Sequence, residues 1–392
     1  MGPLSLLPCS LLQLTYAFLP SREAIRTRRV CALWKQALEA PNGNAFWAVH
    51  IWDARFNHSL SRRVPFLPLL VEERLTRLRI EDRQFLVHKP KRLKELIYNS
   101  SGTSELLRIL EASASTLERV KLGIYGSVEQ CFLVSLFWKL SQLPRLRFLQ
   151  VITISYIPSW PWNKKPSFFM DSLCDLRFSN CLPKEHFLEE ILRADLALER
   201  LEIPASRGNL ETLASVLSSR GRLHRSLRYL KLSVSPGEVV TNEKCKDLYR
   251  ILAQCEKIEA LAWDVDRVFD SKEIEECPSS QEDADFPALA RLDLRDSTDT
   301  FWLSNAARFP AGKGWSSRIR SLSVYSEQLC MLSGKHWRAL ERITVSWSST
   351  HLRSECLPVQ RPEFKQLVAA FPSVRIFNNS ECFLDKRDWI TV

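Results

Sequence analysis

Apolar residues recur along this chain in one spacing, Leu-x-x-Leu-x-apolar, from Leu75 almost to the C-terminus. The clearest copies are Leu117-Glu-Arg-Val120-Lys-Leu122, Leu198-Glu-Arg-Leu201-Glu-Ile203, Leu227-Arg-Tyr-Leu230-Lys-Leu232, Leu289-Ala-Arg-Leu292-Asp-Leu294 and Leu340-Glu-Arg-Ile343-Thr-Val345. Further copies begin at Leu75, Leu93, Leu146, Leu173, Ile258, Ile319 and Phe371. Side chains alternate along a strand, so each copy reads as a short strand with one apolar and one polar face. Between copies the period changes to that of helices: Glu105 to Leu110, Lys184 to Ala194, Leu210 to Leu217, Asp247 to Ala253 and Phe364 to Phe371. A strand–turn–helix–turn unit of near thirty residues, repeated, predicts a stacked α/β solenoid. Its strands would form a curved parallel sheet, with the helices on the outside.

Residues 1 to about 50 follow a different pattern. Leu11, Leu12, Leu14 and Phe18 form a helical stripe that Pro20 ends; Ser21 is a plausible N-cap for the next helix. Ile25, Val30, Leu33, Trp34 and Leu38 continue an apolar face, and Pro41-Asn42-Gly43 is a turn. A helical hairpin this small cannot bury its own apolar side chains, so it must cover the end of the repeats, meet a partner, or do both. The expected organisation is a helical domain over 1–52, a connector over 53–74 and a repeat array over 75–392.

The hairpin is also specific in sequence. Leu7-Pro8-Cys9-Ser10-Leu11-Leu12, Phe18-Leu19-Pro20, Val30-Cys31-Ala32-Leu33-Trp34 and Phe46-Trp47 resemble the F-box in content and in spacing. Ser10, Thr15 and Ala24 depart from the usual pattern, where an acidic residue, Ile and Leu are common. The repeats resemble degenerate leucine-rich repeats, with Leu173-Cys-Asp-Leu176-Arg-Phe178-Ser-Asn-Cys181 carrying the Asn or Cys of that family's turn. The resemblance implies a substrate-recognition subunit of an SCF-type cullin–RING ubiquitin ligase. Leu7, Pro8, Leu11, Leu12, Leu19, Pro20, Val30, Cys31 and Trp34 would dock on the Skp-type adaptor, and the repeats would hold a protein substrate. Such a subunit is not an enzyme and uses no cofactor, because its role is to bring the substrate's lysines near a charged conjugating enzyme. Rival readings are a repeat scaffold outside ubiquitination, a nucleic-acid-binding solenoid and an extracellular repeat protein.

Charge and cysteine content narrow the partners. A formal net charge of +10 favours acidic or phosphorylated ligands. Yet no Lys/Arg run resembles a nucleic-acid arm, and neither nucleic acid nor a membrane is the expected partner. The 11 cysteines are scattered without Cys-x-x-Cys pairs, which points away from zinc and from a disulfide framework. Most of them, such as Cys131 and Cys174, sit in apolar patterns and are expected to be buried. The expected compartment is reducing, cytoplasmic or nuclear. Leu4 to Leu19 lacks the positive flank of a signal peptide. No nucleophile elbow, zinc-protease or phosphate-loop motif is present in the sequence.

The candidate substrate site follows from the alternation. Polar positions of the copies point to the face opposite the leucines, and arginine recurs there: Arg77, Arg119, Arg177, Arg200, Arg291 and Arg342, with Lys231. A stacked column of guanidinium groups would attract carboxylate or phosphate. Glu118, Glu199, Glu202, Asp175 and Asp293 lie nearby and partly offset that charge. Two insertions interrupt the array. Trp160 and Trp162, beside Lys164 and Lys165, have the make-up of an interface anchor or of a self-packed loop. Asp270 to Asp285 is acidic and reads as a solvated loop.

Overall fold

The computed structural model describes residues 52–53, 75–81, 90–99, 103–124, 130–153, 170–179, 191–192, 196–234, 242–263, 286–294, 302–303, 314–332, 336–346 and 362–379. The chain divides into two compact units, Met1–Asp175 and Leu176–Val392. Each is an α/β structure built on parallel strands. The candidate adaptor-docking residues, the Trp160–Trp162 insertion and the acidic 270–285 insertion all lie outside the described residues.

In the first unit β1 (Trp52–Asp53), β2 (Arg77–Glu81), β3 (Glu95–Asn99), β4 (Arg119–Ile124) and β5 (Phe148–Thr153) pair in chain order, every neighbour parallel. Helices α1 (Thr103–Ala112) and α2 (Gln130–Ser141) form two of the crossovers. The ladder begins with Trp52, well ahead of the first apolar copy at Leu75. Strand β6 (Asp175–Ser179) starts at the boundary between the units.

The second unit continues with β7 (Arg200–Ala205), β8 (Tyr229–Val234), β9 (Ala260–Trp263), β10 (Arg291–Asp293), β11 (Ser321–Tyr325), β12 (Arg342–Ser346) and β13 (Arg375–Asn379), again in chain order. The pairings from β7 to β13 are all parallel. Its described helices are α3 (Arg207–Ser218), α4 (Arg222–Ser226), α5 (Asn242–Ala253) and α6 (Pro362–Ala370). Helix α3 is capped by Ser206, whose hydroxyl accepts from the Asn209 N–H, leaving one fewer orphan donor in its first turn. Around β11 the chain forms 3-10 turns instead, Trp315–Arg318 and Ser326–Met331.

The alternation holds strand by strand. Leu78 and Ile80, Val120 and Leu122, Leu230 and Leu232, and Ile343 and Val345 are all fully buried, while the residues between them are not. The leucine that opens each copy is buried as well, from Leu75 to Leu340. Entry into the strands repeats one device: two consecutive N–H groups donate to a single carbonyl of the preceding unit. Glu118 and Arg119 donate to Lys94, Arg228 and Tyr229 to Glu199, and Ala290 and Arg291 to Glu259. This fixes the register of the first strand residue in each repeat. The Phe371 copy departs from it. Ile376 pairs with Ile343, so Ile376 occupies the fourth position, which a frame counted from Phe371 assigns to Val374.

A second recurring bond links repeats through hydroxyls. Thr116 and Ser226 each stand just before an opening leucine and donate to the carbonyl of the previous opening leucine, Leu93 and Leu198, both at 2.8 Å. Ser226→Ala orphans the Leu198 carbonyl and is expected to cost about 1 kcal/mol, read as a lowered urea midpoint at unchanged m.

Candidate binding face

Parallel register decides which side chains are neighbours on the polar face. In the first unit the first strand position carries Arg77, Glu95, Arg119 and Phe148 on successive strands. In the second unit the same row carries Arg200, Tyr229, Ala260, Arg291, Ser321, Arg342 and Arg375. The expected column of stacked arginines is therefore corrected. Across the first unit and the first half of the second, an acid, an aromatic ring or alanine stands beside each arginine. Like charges on adjacent strands repel, and this arrangement avoids that cost.

The neighbours engage the cations directly. Arg77 Nε donates to Glu95 Oε2 at 2.8 Å, and Glu95 is almost fully buried. The Arg119 guanidinium lies 4.5 Å from the Phe148 ring centroid and the Lys121 ammonium 5.7 Å from it. Phe148 is thereby only 3% exposed, although it lies on the polar face. In the second unit Arg200 stacks on Tyr229 at 3.8 Å, and Lys231 Nζ is 3.3 Å from Glu202 Oε1. Among the described residues, Arg200 Nε is buried with no hydrogen-bond acceptor, so stacking is its compensation. Burial raises the Tyr229 phenol above its ordinary pKa; Arg200 and Lys231 oppose the shift, while Glu202 and Asp293 reinforce it.

Lys231 lies two residues further along its strand than the row of Arg200, at the third position of β8. Arg177 holds the third position of β6 and is half-buried. Arg291 and Arg342 are exposed, at the first positions of β10 and β12. Trp160 and Trp162 lie outside the described residues.

A row of alternating charge precedes the strands. Lys94 faces Glu118 at 4.0 Å, Arg228 faces Glu259 at 2.9 Å and Arg320 faces Glu341 at 3.9 Å. These pairs are exposed and contribute only about 0.2–1 kcal/mol each. Their effect is on the electrostatics of the face, because most of its cations are already matched. Arginines gather at one corner, β10–β13. There an open cleft of about 1180 Å³ is lined by Arg291, Arg318, Arg320, Arg338, Arg342 and Arg375, with Glu341 as the acid among its lining. Of these, Arg338 carries no signal in the repeat pattern, and Arg375 is placed in the wrong row by it. Arg338 lies outside the strands, and a frame counted from Phe371 runs two residues early.

Among the described residues one pair of reactive groups lies close together. Cys255 Sγ is 3.5 Å from His224 Nδ1, which is cysteine-nucleophile spacing. However, Cys255 is buried, and that burial pushes its thiol up to about 12. A nucleophilic cysteine requires the opposite shift. The thiol also lies 3.6 Å from the Ile251 carbonyl, as a donor in the helix wall. Above about pH 9 the unfolded chain loses this proton and the folded chain keeps it, so stability must fall as pH rises from about 9 to about 12, by on the order of 1 kcal/mol per pH unit. Cys255→Ala is expected to flatten that part of an alkaline urea-stability profile. Cys174, expected to be buried, is instead half-buried and donates to the Arg147 carbonyl at 3.3 Å. It occupies the row just ahead of the strand, whose side chains reach the surface.

Among the described residues no group of three or more His, Cys, Asp or Glu side chains converges as a metal site. Among them, too, no helix is long and apolar enough to cross a membrane. No protein-family model matches the chain, and no curated protein is significantly similar to it. Among solved structures, a protein from Bacteroides fragilis is 12% identical; the match covers 72% of this chain and 79% of that one with a TM-score of 0.36.

Proposed function

We propose that this chain is an F-box protein with a degenerate leucine-rich-repeat solenoid, acting as the substrate receptor of an SCF-type ubiquitin ligase. The observation that carries the proposal is a conjunction. An F-box-like helical pattern with Leu7-Pro8, Phe18-Leu19-Pro20 and Val30-Cys31-x-x-Trp34 precedes a long run of parallel strands, each paired with its chain neighbour. Strands of this kind present a polar face, which suits holding a macromolecular client. The helical pattern supplies apolar anchors and an aromatic, the ingredients of helix-in-groove docking. Transfer would then proceed by proximity, the client's lysines being held near the conjugating enzyme at raised effective concentration.

Affinity purification of the full chain from cells tests this. Wild type should recover a Skp-type adaptor together with a cullin, and the double variant Pro8→Ala/Leu11→Asp should recover neither. Recovery of adaptor without cullin would favour a scaffold outside ubiquitination. Equal recovery by both proteins removes the docking claim.

A further inference from the structure

We propose that Arg119 and Lys121, held over the Phe148 ring on the polar face of the first unit, bind an acidic, unphosphorylated segment of a client through two of its carboxylates. The proposal deepens the client-holding part of the function above and rests on that reading. It is tested on the purified chain without any adaptor, so that the two can fail separately.

Strand β4 sets both cations on one side. Val120 and Leu122 are buried, so Arg119 and Lys121, which alternate with them, face the polar side. Both lean towards β5, where the Arg119 guanidinium lies 4.5 Å and the Lys121 ammonium 5.7 Å from the centre of the Phe148 ring. The ring holds the cations in place, and stacking leaves their charge and N–H groups available to an anion. Acids close in register are engaged elsewhere. Glu95, beside Arg119 in its row, accepts from Arg77 at 2.8 Å, and Glu118 faces Lys94 at 4.0 Å. Strand β5 carries no acid, and Lys121 stands between Ile97 and Gln150. Among the described residues, no carboxylate forms an ion pair with Arg119 or Lys121.

Spacing then selects the ligand. Residues two apart on a strand lie about 6.6 Å apart, so Arg119 and Lys121 offer two single positive charges at that interval. An extended client segment presents its own alternate side chains at the same interval. Acids at alternate positions therefore bring one carboxylate to each cation. The guanidinium takes its carboxylate as a two-pronged donor, and the ammonium takes the other as a point charge. Two monoanions in series suit this pair better than one phosphate, which concentrates its charge at a single point. Because the ring already orders both long side chains, less rotamer freedom is lost when the client binds.

Nucleic acid is the less suitable occupant. Binding of single strands relies on aromatic side chains on which bases stack. Phe148 is only 3% exposed and lies beneath the two cations, so its ring offers a base no platform.

The experiment is fluorescence anisotropy with the full chain and a labelled twelve-residue peptide carrying three glutamates at alternate positions. Competitors are the same peptide with glutamines in their place, the same peptide with a single phosphoserine in their place, and a twelve-nucleotide oligouridine. The expected result is saturable binding of the glutamate peptide, at least about tenfold tighter than the glutamine form. Arg119→Ala/Lys121→Ala should weaken it about tenfold or more, and Arg145→Ala, at an exposed arginine of the turn before β5, should leave it unchanged. If circular dichroism shows the double variant to be misfolded, Arg119→Gln, at an exposed position, serves in its place with a smaller expected loss. Equal affinity for the glutamate and glutamine peptides overturns the proposal, as does wild-type affinity in the folded double variant. Tighter binding of the phosphoserine peptide or of the oligouridine than of the glutamate peptide overturns it in favour of that ligand.

Discussion

Trp302→Ala is expected to destabilise the second unit by about 3–5 kcal/mol, the upper range for truncating a buried aromatic. Trp302 is fully buried, and its ring meets four others edge-on or tilted: Tyr249 at 4.9 Å, Trp263 at 5.3 Å, Phe286 at 5.6 Å and Trp315 at 5.7 Å. These rings come from α5, from β9, from the turn before β10 and from the 3-10 turn before β11. Trp302 therefore joins three consecutive repeats, and its removal leaves a cavity that no single element can fill by shifting. The polar edge of the cluster adds to the cost of disturbance, since Trp315 Nε1 donates to the Tyr249 hydroxyl at 3.0 Å inside the core. A loss of this size is comparable to much of a domain's net stability of about 5–15 kcal/mol.

The effect should be local before it is global. Among the described residues of the second unit each strand pairs with its neighbours in the chain, so disorder has no shortcut to distant strands. Hydrogen exchange is the suitable measurement. Amides of Ala260–Trp263 and Ser321–Tyr325 should lose protection in the variant, while those of Arg119–Ile124 keep it. Trp302→Phe, which retains a ring, should recover more than half of the lost stability. Uniform loss of protection across all strands, or a cost below about 1 kcal/mol, would contradict this clamping role.

What could be read from the sequence follows the physics of each feature. The buried strand residues were legible because alternation is a local signal; positions such as Val120 and Leu122 need no knowledge of their neighbours. The helices over Thr103–Ala112, Arg207–Ser218, Asn242–Ala253 and Pro362–Ala370 agree with their apolar periodicity. Helix Gln130–Ser141 escaped because its run is apolar on nearly every side, so no stripe stands out. The 3-10 turns around β11 escaped for the opposite reason, being too short to show any period.

The binding face was half legible. Sequence gives the residues at each position, and arginine does recur there. It does not give who stands beside whom, because that depends on register across gaps of 18 residues for Arg77 and Glu95 and 31 for Arg228 and Glu259. The matching of cations by Glu95, Phe148 and Tyr229 was therefore invisible. Arg375 illustrates the point. A copy counted from Phe371 puts it at the fifth position, as with Lys231, and it joins the row of Arg342 only once Ile376 is seen to pair with Ile343.

Pro8→Ala/Leu11→Asp is expected to weaken Skp-type adaptor binding by at least about 100-fold, measured by biolayer interferometry with purified full chain. Two anchor losses of about 1.4 kcal/mol each would give that factor. The aspartate adds a desolvation cost wherever Leu11 meets an apolar groove, because a carboxylate there leaves water without a partner. Proline at the first turn of a helix presets its backbone angle, so alanine at position 8 raises the cost of ordering the docking segment. For a docking role alone, the urea midpoint reported by the second unit's tryptophans should not move. Retained adaptor affinity with an unchanged midpoint would separate the hairpin from adaptor docking and leave it as a cover for the first strands. Lost affinity with a lowered midpoint would mean that those same side chains support the fold, and the docking role would then rest on Leu19 and Trp34, tested one at a time.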